Sequence, residues 1–325
     1  KDVRMGRNIV EPYRNFGTKL WNAARFCQMN ECALWDQFDP RALKQTINKW
    51  IVGAAAKTAL SVTADIEAFR FNDAADALYH FVYDDFCAWY VELIKPLLQG
   101  EDEEAKTETR RTAAWVLDQT LKLLHPFMPF ITEELWARLS EFGPKRERML
   151  ISETWPALDK FLIDEKADEE IGWVIDLITQ VRSTRAELNV PAGARIGLVL
   201  VGAKKDENAR LERYQSLINQ LARLEYSTSG KEAPEGAVTF VHAGATVALP
   251  LKGVIDFRAE ADRLTKEIKR LDGDMIKIDQ KLANKQFVER APAEVIEEQR
   301  ERRAEAETAK AKLAAALARI EGQRA

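Results

Sequence analysis

Arg14, Lys19 and Arg25 recur within one short stretch, together with the amides of Asn15 and Asn22 and the rings of Phe16 and Trp21. Cations for phosphate, amides for base edges and flat rings for stacking are what a single-stranded RNA loop requires of a protein. The same spacing also fits an ordinary amphipathic helix with its charges in water, and Trp21 would then belong to a core. A second set of cations lies far along the chain. Lys266, Arg270, Lys277 and Lys281 follow one another at steps of 4, 7 and 4, with Arg263 ahead of them. That spacing lines up one side of a helix and fits one nucleic-acid backbone. Glu260, Asp262, Glu267, Asp272, Asp274 and Asp279 are interleaved with these cations. A helix surface laced with salt bridges is therefore the plainer reading.

Chemistry of other kinds is not encoded in any recognisable pattern. His80, His125 and His242 are far apart, and none stands at a metal-ligand spacing from a cysteine or another histidine. His125 opens a Pro-Phe-Met-Pro turn, where a packed or capping role is the natural one. Cys27, Cys32 and Cys87 are too few and too irregularly spaced for a disulfide framework, and each falls among apolar helical positions that suit a buried free thiol. There is no GxxxxGK[ST] loop and no GxGxxG after a strand. No catalytic residue, metal ligand or cofactor site is expected in this stretch.

The elements that must position the two cation sets are mostly helical. Helices are expected over Arg14 to Met29, after an Asp39-Pro40 start signal, from Leu78 to Leu93, from Thr109 to Leu124 beyond an acidic Gly100 to Lys106 loop, and from Thr132. Five amphipathic helices with short connections make an antiparallel bundle over residues 1–150. A small α+β connector follows over 151–252. It has a helix from Ala167 to Leu188, a branched apolar run from Arg195 to Val201, a helix from Arg210 to Leu224, and two strands, Ala237 to Val241 and Thr246 to Leu251. From Phe257 through Ala261, Leu264, Ile268, Leu271, Met275, Ile278 and Leu282 the apolar residues keep a strict heptad seam. The seam breaks at Asn284 to Pro292 and resumes weakly, with Gln299, Arg303 and Lys310 at seam positions. Residues 253–325 are thus expected to form an antiparallel coiled-coil hairpin reaching roughly 40 Å, and the fold class is mainly α.

The net charge of −4 argues mildly against bulk nucleic-acid binding but leaves room for a local cationic face. No apolar run approaches the length of a membrane span and no signal-peptide zoning is present, so a cytoplasmic protein is expected. The chain starts Lys1-Asp2 rather than with methionine, so it is expected to be a piece of something longer.

Several segments resemble a known family. Arg14-Asn15-Phe16-Gly17-Thr18-Lys19-Leu20-Trp21-Asn22-Ala23-Ala24-Arg25-Phe26 is similar to the first helix of the anticodon-binding domain in class I aminoacyl-tRNA synthetases for branched aliphatic amino acids. Phe86 to Lys95 resembles a later segment of that domain, with Ala88 where the family usually has Asp, and His125 to Trp136 resembles its most recognisable helix entry. Val181 to Pro191, and the turn with Phe287-Val288 and Ala291-Pro292-Ala293-Glu294-Val295, resemble the connector and coiled-coil tail of bacterial valyl-tRNA synthetases. The isoleucyl sibling usually ends in a cysteine-rich zinc module, and no CxxC occurs here. His-Ile-Gly-His and Lys-Met-Ser-Lys-Ser, the family's ATP-site signatures, are absent too.

The resemblance implies a tRNA-binding portion of a ligase that joins valine to tRNA(Val) with ATP, the catalytic and editing domains lying elsewhere in the same polypeptide. This portion would itself be non-catalytic, and the whole monomeric. The anticodon side would be carried by Arg14, Lys19, Asn22 and Arg25, and contact with the tRNA elbow by Arg263, Lys266, Arg270, Lys277 and Lys281. Two alternatives are the corresponding part of an isoleucyl enzyme and a scaffold whose bundle and coiled coil serve protein partners.

Overall fold

A computed structural model of the chain describes residues 7–141 and 143–321. The first six residues of the expected bundle and the last four of the expected arm lie outside the described residues. The chain divides into two compact units, Lys1–Gly172 and Trp173–Ala325.

The first unit is a helical bundle. It contains α1 (Arg7–Met29), α2 (Thr46–Glu67) and α3 (Phe71–His80). From α3 the chain passes directly into a π-helical stretch, Phe81–Tyr90, and then the short turns Val91–Leu93 and Lys95–Gln99. Two more helices, α4 (Glu103–Leu124) and α5 (Pro129–Leu139), complete it. Leu20, Ile51, Leu78, Phe81, Phe86, Tyr90, Leu117 and Leu121 are fully buried between them. A polar chain crosses this core without leaving a group unpaired: the Tyr90 hydroxyl donates to Asn48 Oδ1 (2.9 Å), and Asn48 Nδ2 donates to Thr109 Oγ1 (3.0 Å). Cys27 and Cys32 are buried free thiols, and Cys87 is half-buried.

Two helix starts differ from expectation. Asp39-Pro40 does not open a helix; the Asp39 carboxylate accepts from the Arg41 backbone N–H and guanidinium (both 3.0 Å) within a turn. α2 begins at Thr46, and its cap comes from α4. There the Glu108 carboxylate accepts from the backbone N–H groups of Lys44 (2.8 Å) and Gln45 (2.9 Å). Of the run expected to be an acidic loop, Gly100 to Asp102 lies outside helix but Glu103 to Lys106 is the first turn of α4. Asp102 accepts from the Glu104 and Ala105 N–H groups (3.0 Å each), and Glu103 and Glu104 sit at the positive end of the helix dipole.

α6 (Glu165–Glu187) carries the chain across residue 172 into the second unit. Here a four-stranded sheet is formed by β1 (Ile196–Val201), β2 (Leu224–Gly230), β3 (Ala237–His242) and β4 (Ala245–Pro250), with α7 (Lys205–Arg213) and α8 (Gln215–Ala222) between the first two strands. The order is β2-β1-β4-β3, and only β1 and β2 run parallel. β3 and β4 are joined by two residues with positive φ, Ala243 (51°) and Gly244 (93°), the tight hairpin geometry whose twist matches the strands. β2 is an element the sequence did not announce.

The arm is a helical hairpin: α9 (Phe257–Ala283), the short α10 (Lys285–Arg290) and α11 (Ala293–Glu321). Asp256 caps α9 by accepting from Arg258 and Ala259 N–H (2.9 and 3.0 Å), and Asn284 ends it and caps α10 by accepting from Gln286 N–H (3.0 Å). Ala261, Leu264 and Leu271 of α9 are buried, as are Gln299, Ala316 and Ile320 of α11. The two cations at seam positions of α11 reach across the hairpin: Arg303 pairs with Asp279 and Lys310 with Asp272, both at 2.6 Å. Among the described residues no helix is long and apolar enough to cross a membrane.

Candidate nucleic-acid interface

The spacing of α1 determines which residues can meet a ligand. Phe16, Leu20, Ala23, Ala24 and Cys27 turn inward, and Arg14, Asn15, Asn22 and Arg25 face water. α1 packs closely on α5 at Gly17, where a Cβ would lie in ordinary contact, 3.5 Å from Ile131 Cδ1. α5 is aimed by the turn ahead of it. The Thr132 hydroxyl donates to Met128 O (2.9 Å), and His125 Nδ1 lies 2.9 Å from Thr132 Oγ1, so His125 has a packed, structural role.

Between these two helices lies a cleft of about 280 Å³ lined by Trp21, Arg25 and Gln28 from α1 and Leu135, Arg138 and Leu139 from α5. The Arg138 guanidinium stands 5.0 Å from the Trp21 ring centre and also pairs with Glu134 (2.7 Å). Arg25 has no ion pair among the described residues. A ring edge, an amide and two guanidinium groups around a partly apolar space can hold a flat heterocycle and offer charge to its phosphate. Of the four residues expected on this side, Arg25 lines the cleft, whereas Arg14 and Asn22 stand on the water-facing side of α1.

Lys19 is placed otherwise. Its Nζ donates to Tyr83 O (2.8 Å) and sits 3.3 Å from the Tyr83 ring centre, and burial lowers its pKa from the ordinary lysine value. The carbonyl it satisfies belongs to the π-helical stretch, and the ring is the end of a stacked series, Phe16–Tyr79 (5.3 Å) and Tyr79–Tyr83 (5.2 Å). Lys19 thus ties α1 to the neighbouring helix. Gln28 and Arg138 were not among the expected residues. Arg138 comes from a helix remote in sequence, and no local pattern links it to Trp21.

On the arm the five expected cations are not equivalent. Arg263 is bound to Glu260 (2.5 Å) and donates to Glu187 O (3.2 Å) at the foot of the arm, where Arg319 also pairs with Glu187 (2.7 Å). Arg270 is held between Glu267 (2.6 Å) and Asp274 (2.8 Å), and Lys277 lies 3.7 Å from Asp274. Lys266 and Lys281 are exposed and have no ion pair among the described residues.

Residues 48–200 match the family described as the anticodon-binding domain of tRNA ligase, and residues 256–321 match the valyl tRNA synthetase tRNA binding arm. A valine–tRNA ligase of Caulobacter vibrioides is 53 % identical over 320 residues, covering 98 % of this chain and 35 % of that protein. Those of Agrobacterium fabrum and Bradyrhizobium diazoefficiens are 47 % and 46 % identical, each over 98 % of this chain and 34 % and 36 % of their own lengths. The chain thus spans about a third of the length of the curated relatives it matches.

Proposed function

The chain belongs to the valyl-tRNA synthetase family, as a C-terminal part of such an enzyme, and on that premise we propose that it binds and positions tRNA(Val). The observation that carries this reading is the α1–α5 cleft, where Trp21, Arg25 and Gln28 face Arg138 around a space suited to an unstacked base. We assign Arg25, with Arg14 and Asn22 beside it, to the anticodon loop, and give Lys19 the indirect task of fixing α1. Lys266 and Lys281 are the leading phosphate contacts of the arm, with Arg270, Lys277 and Arg263 as a partly neutralised background. In this division residues 1–150 read the anticodon loop, 151–252 connect, and 253–325 hold the elbow.

The whole protein, in this proposal, is a cytoplasmic monomer that joins valine to tRNA(Val) with ATP at a site outside this stretch. This part needs no cofactor of its own. Holding tRNA at two places restricts where its acceptor end can go, and that restriction is what a bimolecular reaction gains from positioning. The scaffold reading is less well supported, because Arg303 and Lys310 already have partners across the hairpin and do not call for an outside chain. The test is binding of the chain to labelled tRNA(Val) and to a non-cognate tRNA across a salt series. Tighter binding to tRNA(Val) that falls steeply with salt is expected. Equal, weak binding of both RNAs would overturn the proposal.

A further inference from the structure

Trp35 sits in the loop between α1 and α2 with 51 % of its surface in water, an uncommon place for the largest aromatic side chain. The loop around it is well anchored. Asn30 Nδ2 donates to Phe26 O (2.8 Å), Cys32 is buried, and the Phe38 ring lies 5.9 Å from that of Trp115. From α4 the Arg111 guanidinium stands 4.5 Å from the Trp35 ring centre and has no ion pair among the described residues. A half-exposed indole with an uncommitted cation against it offers a stacking surface and a phosphate partner together.

Its position gives it a context. A Cβ on Gly143 would meet Leu34 N at 3.6 Å, Leu139 O at 3.7 Å and Ala33 Cβ at 3.8 Å, so the backbone leading into Trp35 abuts the end of α5. Leu139 is itself a wall of the α1–α5 cleft. Of the carboxylates in the loop, Glu31 is paired with Arg110 (2.8 Å) and Asp39 with Arg41 (3.0 Å), which leaves Asp36 to oppose an approaching phosphate.

We propose that Trp35, backed by Arg111, is a second stacking platform for an unpaired nucleotide, next to the cleft and serving the same RNA loop. This rests on the RNA-binding reading given above. The cleft takes one base, and Trp35 takes another that has left the loop's stack. Arg111 supplies the adjoining phosphate contact.

The test uses the chain and a labelled RNA hairpin carrying the tRNA(Val) anticodon loop. Trp35→Ala is expected to weaken binding about 5- to 160-fold, the range for one lost base–aromatic stack, and Trp35→Phe to restore most of it. Arg111→Gln is expected to flatten the salt dependence. Hairpins made abasic at one loop position at a time add a readout that a merely structural role would not move. The Trp35→Ala penalty should vanish at one position and persist at the others. Loss of affinity in Arg25→Ala with none in Trp35→Ala overturns this inference alone. A penalty unchanged across all abasic hairpins also overturns it. If the unaltered chain fails to bind the hairpin, the RNA-binding reading falls and this one with it.

Discussion

The arm offers the sharpest quantitative test, because its cations differ in how far they are already spent on carboxylates. Lys266 and Lys281 have no ionic partner among the described residues, whereas Arg270 is shared between Glu267 and Asp274. Each cation that meets an RNA phosphate releases about one condensed counterion, and log K falls with log salt by roughly 0.7–0.9 per contact. At about 0.1 M salt one such contact is worth about 5- to 8-fold in affinity, so losing two costs about 25- to 60-fold. Lys266→Gln with Lys281→Gln should therefore lower the slope for tRNA(Val) by about 1.4–1.8. Arg270→Gln removes the same formal charge but uncovers two carboxylates that were already neutralising it, so its slope should change by less than half of one contact, roughly 0.4. Filter binding or anisotropy from about 50 to 300 mM salt would measure all three. Equal effects of Arg270 and Lys266 would refute the claim that existing ion pairs decide which cations bind RNA. An unaltered slope in the double variant would remove the arm from the RNA interface.

Other consequences are independent of RNA. Glu108→Ala should destabilise the bundle by about 1–2 kcal/mol in urea unfolding, since it uncaps α2 from a distance. Burial, and next to it the Asp84 charge, push the Asp85 carboxyl up from the ordinary aspartate range to about 6. A carboxyl whose pKa is raised on folding contributes stability below its unfolded value near 4 and loses it as pH rises through 6. Asp85→Asn should therefore gain on the unaltered protein by up to about 3 kcal/mol at pH 8 and by almost nothing below about pH 3, as urea titrations at several pH values would show. Burial also pushes the Cys87 thiol up to about 12, so alkylation at pH 8 should be slow in the native protein and fast in urea. Lys310→Leu exchanges a surface ion pair for apolar seam area and should raise the thermal stability of the hairpin, detectable by circular dichroism.

What could be read from the sequence follows the range of the forces involved. The α9 seam and its break at Asn284 are local periodicity and local capping, and both were legible. The start of α2 was not, because its cap is a carboxylate on α4 and no nearby residue signals it. β2 was missed because Glu225, Tyr226, Thr228 and Ser229 are exposed and the strand is defined by its parallel ladder to β1. The candidate site splits the same way. Arg25 stands out by its company on α1, but the Arg138 wall of the cleft and the inward turn of Lys19 toward Tyr83 depend on which helices become neighbours.

The two ion pairs across the hairpin also fix how the arm can change length over evolution. Asp279 and Arg303 lie twelve residues either side of Ala291, and Asp272 and Lys310 lie nineteen either side. Both pairs share one centre of symmetry, so a slip of either helix breaks both at once. An insertion between Asp279 and the tip in α9 alone would carry both carboxylates out of register with their cations. One matched by an equal insertion in α11 would leave every pair intact and move only the tip. Homologous arms that differ in reach should therefore differ by equal whole heptads on the outgoing and returning helices.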